Sequence, residues 1–170
     1  MGKVILLLID PQIDFHEDGK LAVPGAKADS SRIAAMIKEH EDKIDEIFVT
    51  LDSHHENHIA HAVFWKNREG DSPINFTEIS HKDVEDKLWE PRDPALYDHC
   101  LHYTRRLEGL DDPKSKNKYP NEKFKLTIWP QHCLIGSHGH SVYPLIQDAL
   151  MTWVDHKLKS IEYVLKGILM

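Results

Sequence analysis

The pattern of apolar and polar positions predicts a strand, a helix and a second strand near the start of the chain. Residues 4–9 form an uninterrupted apolar run, which is typical of a strand buried on both faces of a parallel sheet. From 29 to about 43 the apolar residues recur at helical intervals, with Asp29 or Ser30 as the predicted N-cap. A second apolar run, 47–51, predicts the next strand. This order is a βαβ unit, which predicts an α/β fold with parallel strands.

The same alternation returns near the other end of the chain. Residues 142 to about 159 predict a helix, and 161–165 predict a third strand. The intervening stretch is less regular and predicts a helix, an exposed polar loop and a short strand (about 94–108, 111–123 and 124–128). The apolar positions of this stretch show no pattern that would indicate a second hydrophobic core. We therefore expect a single domain over 1–170 with an insertion at about 62–127.

Composition and charge narrow the class of protein. A chain of 170 residues fits one domain. Its 28 acidic against 21 basic residues, a net charge of −7, argue against a general nucleic-acid binder. No apolar run approaches the roughly 20 residues of a membrane span, and the first run is too short for a signal peptide. Two cysteines form no disulfide framework, so we expect a cytoplasmic protein in a reducing compartment.

Charged residues follow each of the three predicted sheet strands. Asp10 follows the first strand, Asp52 the second and Lys166 the third. Ligands of open α/β sheets bind at the carboxyl ends of the strands, so we expect these three side chains to face one crevice. The alternative is that each charge only marks the point at which the chain reaches water.

The 13 histidines are unusually frequent and are clustered. One cluster has the spacing Asp52-x-His54-x3-His58, and His132 lies in the later segment WPQHCLIGSHGH, 129–140. Carboxylate and imidazole ligands suit Zn²⁺, Fe²⁺ or Mn²⁺, and a catalytic site keeps open positions for water or substrate. The spacing therefore indicates a metal site at the end of the second strand, with a solvated histidine loop as the alternative.

Several segments taken together resemble the nicotinamidase/isochorismatase-like cysteine hydrolases. They occur in the order of that family and cover nearly the whole chain outside the insertion. The resemblance implies a Rossmann-like three-layer αβα fold with a central parallel sheet. The segments are IDPQIDF (9–15), LAVPGA (21–26), TLDSHHENHI (50–59), IWPQHCLIGSHGH (128–140) and YVLKG (163–167).

The resemblance implies an amidohydrolase that converts nicotinamide or a related carboxamide, linear or heteroaromatic, into the acid and ammonia. Asp10 matches the general base of the family, and Lys166 matches its catalytic lysine. In the family mechanism a carboxylate takes the proton of a cysteine thiol, and the thiolate attacks the amide carbonyl. Phe15, by resemblance, and Trp65, by position, are candidates to line the substrate pocket, with core packing as the alternative for both.

The resemblance also implies a set of metal ligands. Asp52, His54 and His132 match the ligands of the nicotinamidases, and His58 matches a further histidine that ligates in some members. This implies a divalent metal, zinc first, with iron or manganese as alternatives. Isochorismatases lack this set and act on an enol ether, so the ligands favour an amidase.

The matched segments do not include the nucleophile of the family. That nucleophile is a cysteine at the start of a helix well beyond the Lys-Gly motif, whereas this chain stops at Met170. Cys133 matches the cysteine of the family's His-Cys pair, which is not the attacking thiol, and Cys100 matches no motif. We therefore expect the C-terminal half of the fold to be missing and residues 1–170 to be inactive alone.

A missing half would leave the first strand as an exposed sheet edge, which is prone to aggregation. We expect one of three arrangements: a fragment of a longer gene product, a partner that completes the sheet, or a homo-oligomer. The fragment is favoured because the last five residues, KGILM, carry no helix stop or polar tail. The competing functional hypothesis is a catalytically inactive metal-binding fragment or pseudoenzyme subunit. A third is hydrolysis by a metal-bound water with Asp10 as its base.

Overall fold

The computed structural model describes residues 2–110 and 124–168, so the loop predicted over 111–123 lies outside the described residues. The chain forms two compact units. The sheet unit comprises Met1–His55 with Gln131–Met170, and the insertion unit comprises Glu56–Pro130. The second of these contains the predicted insertion, and the single-domain interpretation stays a prediction.

Strands and helices alternate along the chain. The strands are β1 (Ile5–Ile9), β2 (Glu46–Asp52), β3 (Trp65–Lys66), β4 (Glu78–Ile79), β5 (Glu90–Pro91), β6 (Leu126–Thr127) and β7 (Glu162–Lys166), and the α-helices are α1 (Ala26–Glu39), α2 (His81–Glu85), α3 (Tyr97–Leu107) and α4 (Pro144–Lys157). Among the described residues, no helix is long and apolar enough to span a membrane.

The sheet unit is built on a parallel sheet with the strand order β1-β2-β7. Helices α1 and α4 contact each other and cover the face to which β2 turns its alternate residues Ile47, Val49 and Leu51. Trp153 of α4 is fully buried there, and its indole N–H donates to the backbone oxygen of Ile44 at 3.2 Å. The predicted α/β class and parallel central sheet are confirmed.

The burial of β1 differs from the prediction of a strand covered on both faces. Leu8 is buried against the helices, but Ile5, Leu7 and Ile9 are 53%, 54% and 69% exposed. The cause is position, because β1 is an edge strand and the two helices described in the sheet unit cover one face only. The described part of this unit therefore contains two of the three expected layers.

Helix α1 begins before the predicted N-cap at Asp29 or Ser30. Its N-cap is Gly25, whose φ of 87° lies in the left-handed region that glycine adopts readily. No side chain of the N-cap closes the helix end. The carboxylate of Glu17 instead accepts hydrogen bonds from the backbone N–H groups of Gly25 and Lys27, at 3.1 and 3.0 Å.

The insertion unit has a hydrophobic core of its own, so the prediction of no second core is wrong. Helix α3 occupies most of the predicted 94–108 helix and follows a 3-10 turn at Pro94–Leu96. The strands of this unit have two residues each and pair as β3 with β5 and β4 with β6. Strand β6 lies within the short strand predicted at about 124–128, whereas β3, β4 and β5 carry too little periodicity to be recognised from sequence. The buried residues of this core are Ile59, Phe64, Trp65, Ile79, Val84, Cys100, Leu126 and Ile128.

Candidate metal and catalytic site

The charged residues at the three strand ends of the sheet meet at one point. The register pairs Asp52 of β2 with Lys166 of β7, and Asp10 follows β1 on the other side of β2. The Lys166 Nζ lies 2.8 Å from Asp10 Oδ2 and 3.0 Å from Asp52 Oδ1. The Thr50 hydroxyl donates to Asp10 Oδ1 at 2.6 Å. An ammonium group thus bridges two carboxylates at the carboxyl edge of the sheet.

The charges of this cluster stabilise one another. Burial by itself would lower the pKa of Lys166, but its hydrogen bonds to Asp10 and Asp52 and their negative charges raise that pKa above its usual value. Burial would raise the pKa of Asp52, but hydrogen bonds from His132, His54 and Lys166 hold it well below its usual range. Lys166 is therefore an ammonium and Asp52 a carboxylate at neutral pH.

Two histidines contact the same carboxylate on its other oxygen. The Asp52 Oδ2 lies 3.0 Å from His54 Nε2 and 3.2 Å from His132 Nε2. One ligand atom from each of these three residues lies within 4.8 Å of the others. Both imidazoles are buried, and Asp52 is nearly so. The fold thus brings Asp52 and His132 together, although they are 80 residues apart in the chain.

The protonation pattern of His54 fits a cation between these groups. Its Nδ1 lies 3.1 Å from the backbone oxygen of Gly167, which can only accept, so Nδ1 carries the proton. In a neutral ring Nε2 is then an acceptor that faces the acceptor Asp52 Oδ2. A proton or a metal ion between His54 Nε2 and Asp52 Oδ2 would remove the repulsion between these two acceptors. In metal-bound histidines, the other ring nitrogen commonly donates to a backbone carbonyl, as His54 Nδ1 does here.

The spacing of the donors also fits a metal ion. Tetrahedral ligands about 2.0–2.2 Å from Zn²⁺ lie about 3.4 Å from one another. The contacts of Asp52 Oδ2 with His54 and His132, at 3.0 and 3.2 Å, are close to that separation. One carboxylate and two imidazoles leave further coordination positions for water or substrate, which is the pattern of a catalytic rather than a structural site.

The remaining predicted site residues, Phe15, His58 and Trp65, lie outside the group formed by Asp10, Asp52, His54, His132 and Lys166. Phe15 borders a groove of about 520 Å³ that Asp10 also lines, and its ring centroid lies 5.6 Å from that of His132. His58 belongs to the insertion unit, where it is buried and its Nδ1 accepts from the backbone N–H of Ala60 at 3.2 Å. Trp65 is fully buried in the core of that unit, which favours the core-packing alternative for this residue.

Sequence reasoning missed Gly167 and Thr50 as supports of the site. Gly167 has a φ of 79°, and a Cβ at this position would lie 2.7 Å from His54 Cε1. Its signal in the sequence is a glycine directly after the strand-ending Lys166. Thr50 lies two residues before Asp52 on β2, and this spacing places both on the same face of the sheet.

Both cysteines of the chain are free and buried. Burial raises the pKa of the Cys133 thiol, and the negative charges of Asp14, Asp52 and Asp10 raise it further. Burial alone raises the pKa of the Cys100 thiol to about 12. A nucleophilic cysteine needs a lowered pKa, so neither thiol has the environment of an attacking group.

The similarity of this chain to known proteins lies in its three-dimensional fold. No protein-family model matches the sequence, and no curated protein matches it significantly. Among solved structures, the chain is similar to the yeast nicotinamidase Pnc1p, both alone and bound to the inhibitor nicotinaldehyde, with 21% identity and a TM-score of 0.55. The nicotinamidase/pyrazinamidase PncA from Bacillus subtilis is similar with 16% identity and a TM-score of 0.50.

These similarities cover nearly all of this chain but only part of the other proteins. The aligned region is 97% of this chain in each case, against 57% of Pnc1p and 56% of PncA. The chain thus has the fold of the nicotinamidases over somewhat more than half of their length. This agrees with the fold that the sequence segments around Asp10, Asp52, His132 and Lys166 imply.

Proposed function

We propose that this chain is part of a metal-assisted cysteine amidohydrolase of the nicotinamidase type. Its substrate is nicotinamide or a related heteroaromatic amide, and its products are the carboxylic acid and ammonia. The observation that carries the proposal is the Lys166 ammonium, which bridges Asp10 to a carboxylate that also contacts His54 and His132. The nicotinamidase fold of the chain supports it.

Each group of the cluster has a chemical role in this proposal. Asp10 takes the proton of the attacking thiol as general base and later returns a proton to the leaving ammonia. Lys166 aligns Asp10 through their ion pair and favours a thiolate beside it. Asp52, His54 and His132 would hold a divalent metal, zinc first, with iron or manganese as alternatives. When bound, the metal supplies a Lewis acid for a ring nitrogen or water.

The attacking thiol in this proposal comes from outside residues 1–170. The raised pKa values of Cys133 and Cys100 support this, because both thiols are protonated at neutral pH. A longer gene product or a partner chain that completes the sheet would supply the nucleophile. The cytoplasmic location stays a prediction of the sequence.

Metal content tests the ligand assignment. The purified chain is dialysed against Zn²⁺ and then against buffer, and its metal is measured by mass spectrometry. We expect about one ion per chain in the wild type and loss of more than nine-tenths of it in Asp52→Ala and in His54→Ala, since each removes one of three protein ligands. Asp155→Ala removes an exposed carboxylate of α4 and is the matched control. Unchanged metal in both ligand variants would refute the assignment.

Ammonia release from nicotinamide separates the functional alternatives. We expect the 170-residue chain to bind metal and to release no ammonia by itself. If the chain does release ammonia and the Asp10→Asn variant does not, a metal-bound water would be favoured as the nucleophile. Lack of activity even when an added sheet-completing partner supplies a cysteine would favour the inactive metal-binding module.

A further inference from the structure

The segment after β1 contacts three separate parts of the site through alternate residues. Asp10 pairs with Lys166 of β7. Gln12 bonds to the backbone of Asp52 at the end of β2, and Asp14 bonds to the backbone of Cys133, the residue after His132. The first of these contacts belongs to the charge cluster already described. The second acts on the backbone of the candidate metal ligand Asp52, and the third acts on the backbone of the residue that follows the candidate ligand His132.

Gln12 is fully buried, and every polar atom of its side chain has a partner. Its Oε1 accepts from the backbone N–H of Asp52 at 2.7 Å, and its Nε2 donates to the backbone oxygens of Asp52 at 2.7 Å and His140 at 2.9 Å. Only one orientation of the amide satisfies these contacts, since one end faces a donor and the other faces two acceptors. The side chain therefore fixes both backbone groups of Asp52.

Asp14 fixes the turn that carries His132. It is 7% exposed, and its carboxylate accepts from the backbone N–H of Cys133 at 2.7 Å and of Lys20 at 3.2 Å. Cys133 has a φ of 47°, a conformation that costs free energy in a residue with a side chain. A Cβ at Gly139 would lie 2.1 Å from Asp14 Oδ2, so only glycine leaves room for the carboxylate.

We propose that Gln12 and Asp14 are positioning residues of the metal site, Gln12 for Asp52 and Asp14 for His132. The inference rests on the proposed function, because it requires that the three-residue cluster binds metal. Groups that orient the ligands of a metal raise its affinity without touching it. In the metal-free protein they hold the donor atoms at the separation that the ion needs.

The test is the affinity of the 170-residue chain for Co²⁺ and its visible absorption, which reports the coordination geometry. Gln12→Glu keeps the shape and the acceptor for Asp52 N–H but places an oxygen against two carbonyl oxygens. We expect a tenfold to hundredfold weaker affinity and an altered Co²⁺ spectrum. Gln147→Glu makes the same change on α4, where the side chain is partly exposed, and is expected to bind as the wild type does.

Asp14→Asn provides a second, milder variant, because an amide can still accept from Cys133 but cannot also accept from the N–H of Lys20. We expect a smaller loss of Co²⁺ affinity than in Gln12→Glu. The circular dichroism spectrum of Asp14→Asn should equal that of the wild type, which would show that the variant is folded. Wild-type affinity and spectrum in both folded variants would overturn the inference while leaving the proposed function standing. Failure of both variants to fold would assign the two residues to folding and also overturn it. Absence of Co²⁺ binding by the wild type would refute the proposed function and this inference together.

Discussion

Each unit has an apolar core, but the two units differ in the ionisable side chains that they bring together. The sheet unit brings a lysine, two aspartates and two histidines together at the end of its parallel strands. The core of the insertion unit is a cluster of apolar side chains around Trp65. Within 56–110 and 124–130, the described part of that unit, no three metal-ligating side chains form a close group.

The difference follows from the way each unit is assembled. Parallel strands deliver every carboxyl end to the same edge, so residues that follow different strands meet there whatever their distance in sequence. The two-residue antiparallel strands of the insertion unit create no such edge. The topology of the sheet, more than the number of histidines, therefore brings the ionisable side chains together.

The largest expected effect comes from the buried tryptophan of each unit. Trp153 and Trp65 are both fully buried, and the indole N–H of each donates to a backbone oxygen, of Ile44 and Ile59 respectively. We expect Trp153→Ala and Trp65→Ala each to lower the free energy of unfolding by about 3–5 kcal/mol. Urea denaturation followed by circular dichroism measures both losses.

Metal affinity distinguishes these two variants. We expect Trp153→Ala to weaken Co²⁺ binding, because α4 supports the strand that carries Asp52. Trp65→Ala should leave the affinity within about threefold, less than 0.7 kcal/mol. Equal losses of affinity in both variants would contradict the contrast between the units. A small loss of stability in Trp65→Ala would revive the prediction that Trp65 lines a pocket.

The exposed side of β1 is expected to mediate association of the sheet unit. Ile5 and Leu7 are apolar, more than half exposed and lie on an edge strand. We expect Leu7→Lys to weaken self-association at least tenfold, about 1.4 kcal/mol, because a charge on an edge strand opposes pairing. Sedimentation velocity over a range of concentrations measures it. Met36→Lys on the exposed surface of α1 is the control, and equal association of the two variants would exclude β1 as the contact.

A smaller effect is expected at the start of α2 in the insertion unit. The Ser80 hydroxyl accepts from the backbone N–H of Asp83, and the Asp83 carboxylate accepts from the backbone N–H of Ser80, which is a capping box. We expect Ser80→Ala to cost about 1 kcal/mol in the free energy of unfolding. Ser80→Thr keeps the hydroxyl and should recover most of it. The same loss in both variants would show that the cap contributes nothing.

The smallest expected effect concerns Glu17 at the start of α1 in the sheet unit. Hydrogen bonds from its own backbone N–H and from those of Lys27 and Gly25 lower the pKa of Glu17 below its ordinary value of 4.5. Its stabilisation is therefore complete above pH 4.5 and is lost as the pH falls through the lowered pKa. We expect Glu17→Gln to lower Tm slightly at neutral pH and to match the wild type in strong acid. A difference that grows on acidification would have the wrong sign.

Elements whose pattern is local could be predicted from the sequence. The apolar runs predicted β1, β2 and β7, and the charged residues that follow them identified Asp10 and Lys166 as neighbours at one sheet edge. It could not predict the start of α1, because Glu17 caps that helix from outside it. The insertion core was missed because, apart from Cys100 of α3, its side chains come from loops and from elements too short to show a period.

The contacts between the side chains of the site follow from the tertiary fold and not from local sequence. The approach of His132 to Asp52, the bonds of Gln12 on both sides of Asp52 and the exposed face of β1 all depend on which chain segments become neighbours. Burial and long-range hydrogen bonds are properties of the assembled sheet and its loops, whereas hydrophobic periodicity is a property of adjacent residues. The sequence therefore contained the candidate ligands and the strand ends, and folding set the distances between them.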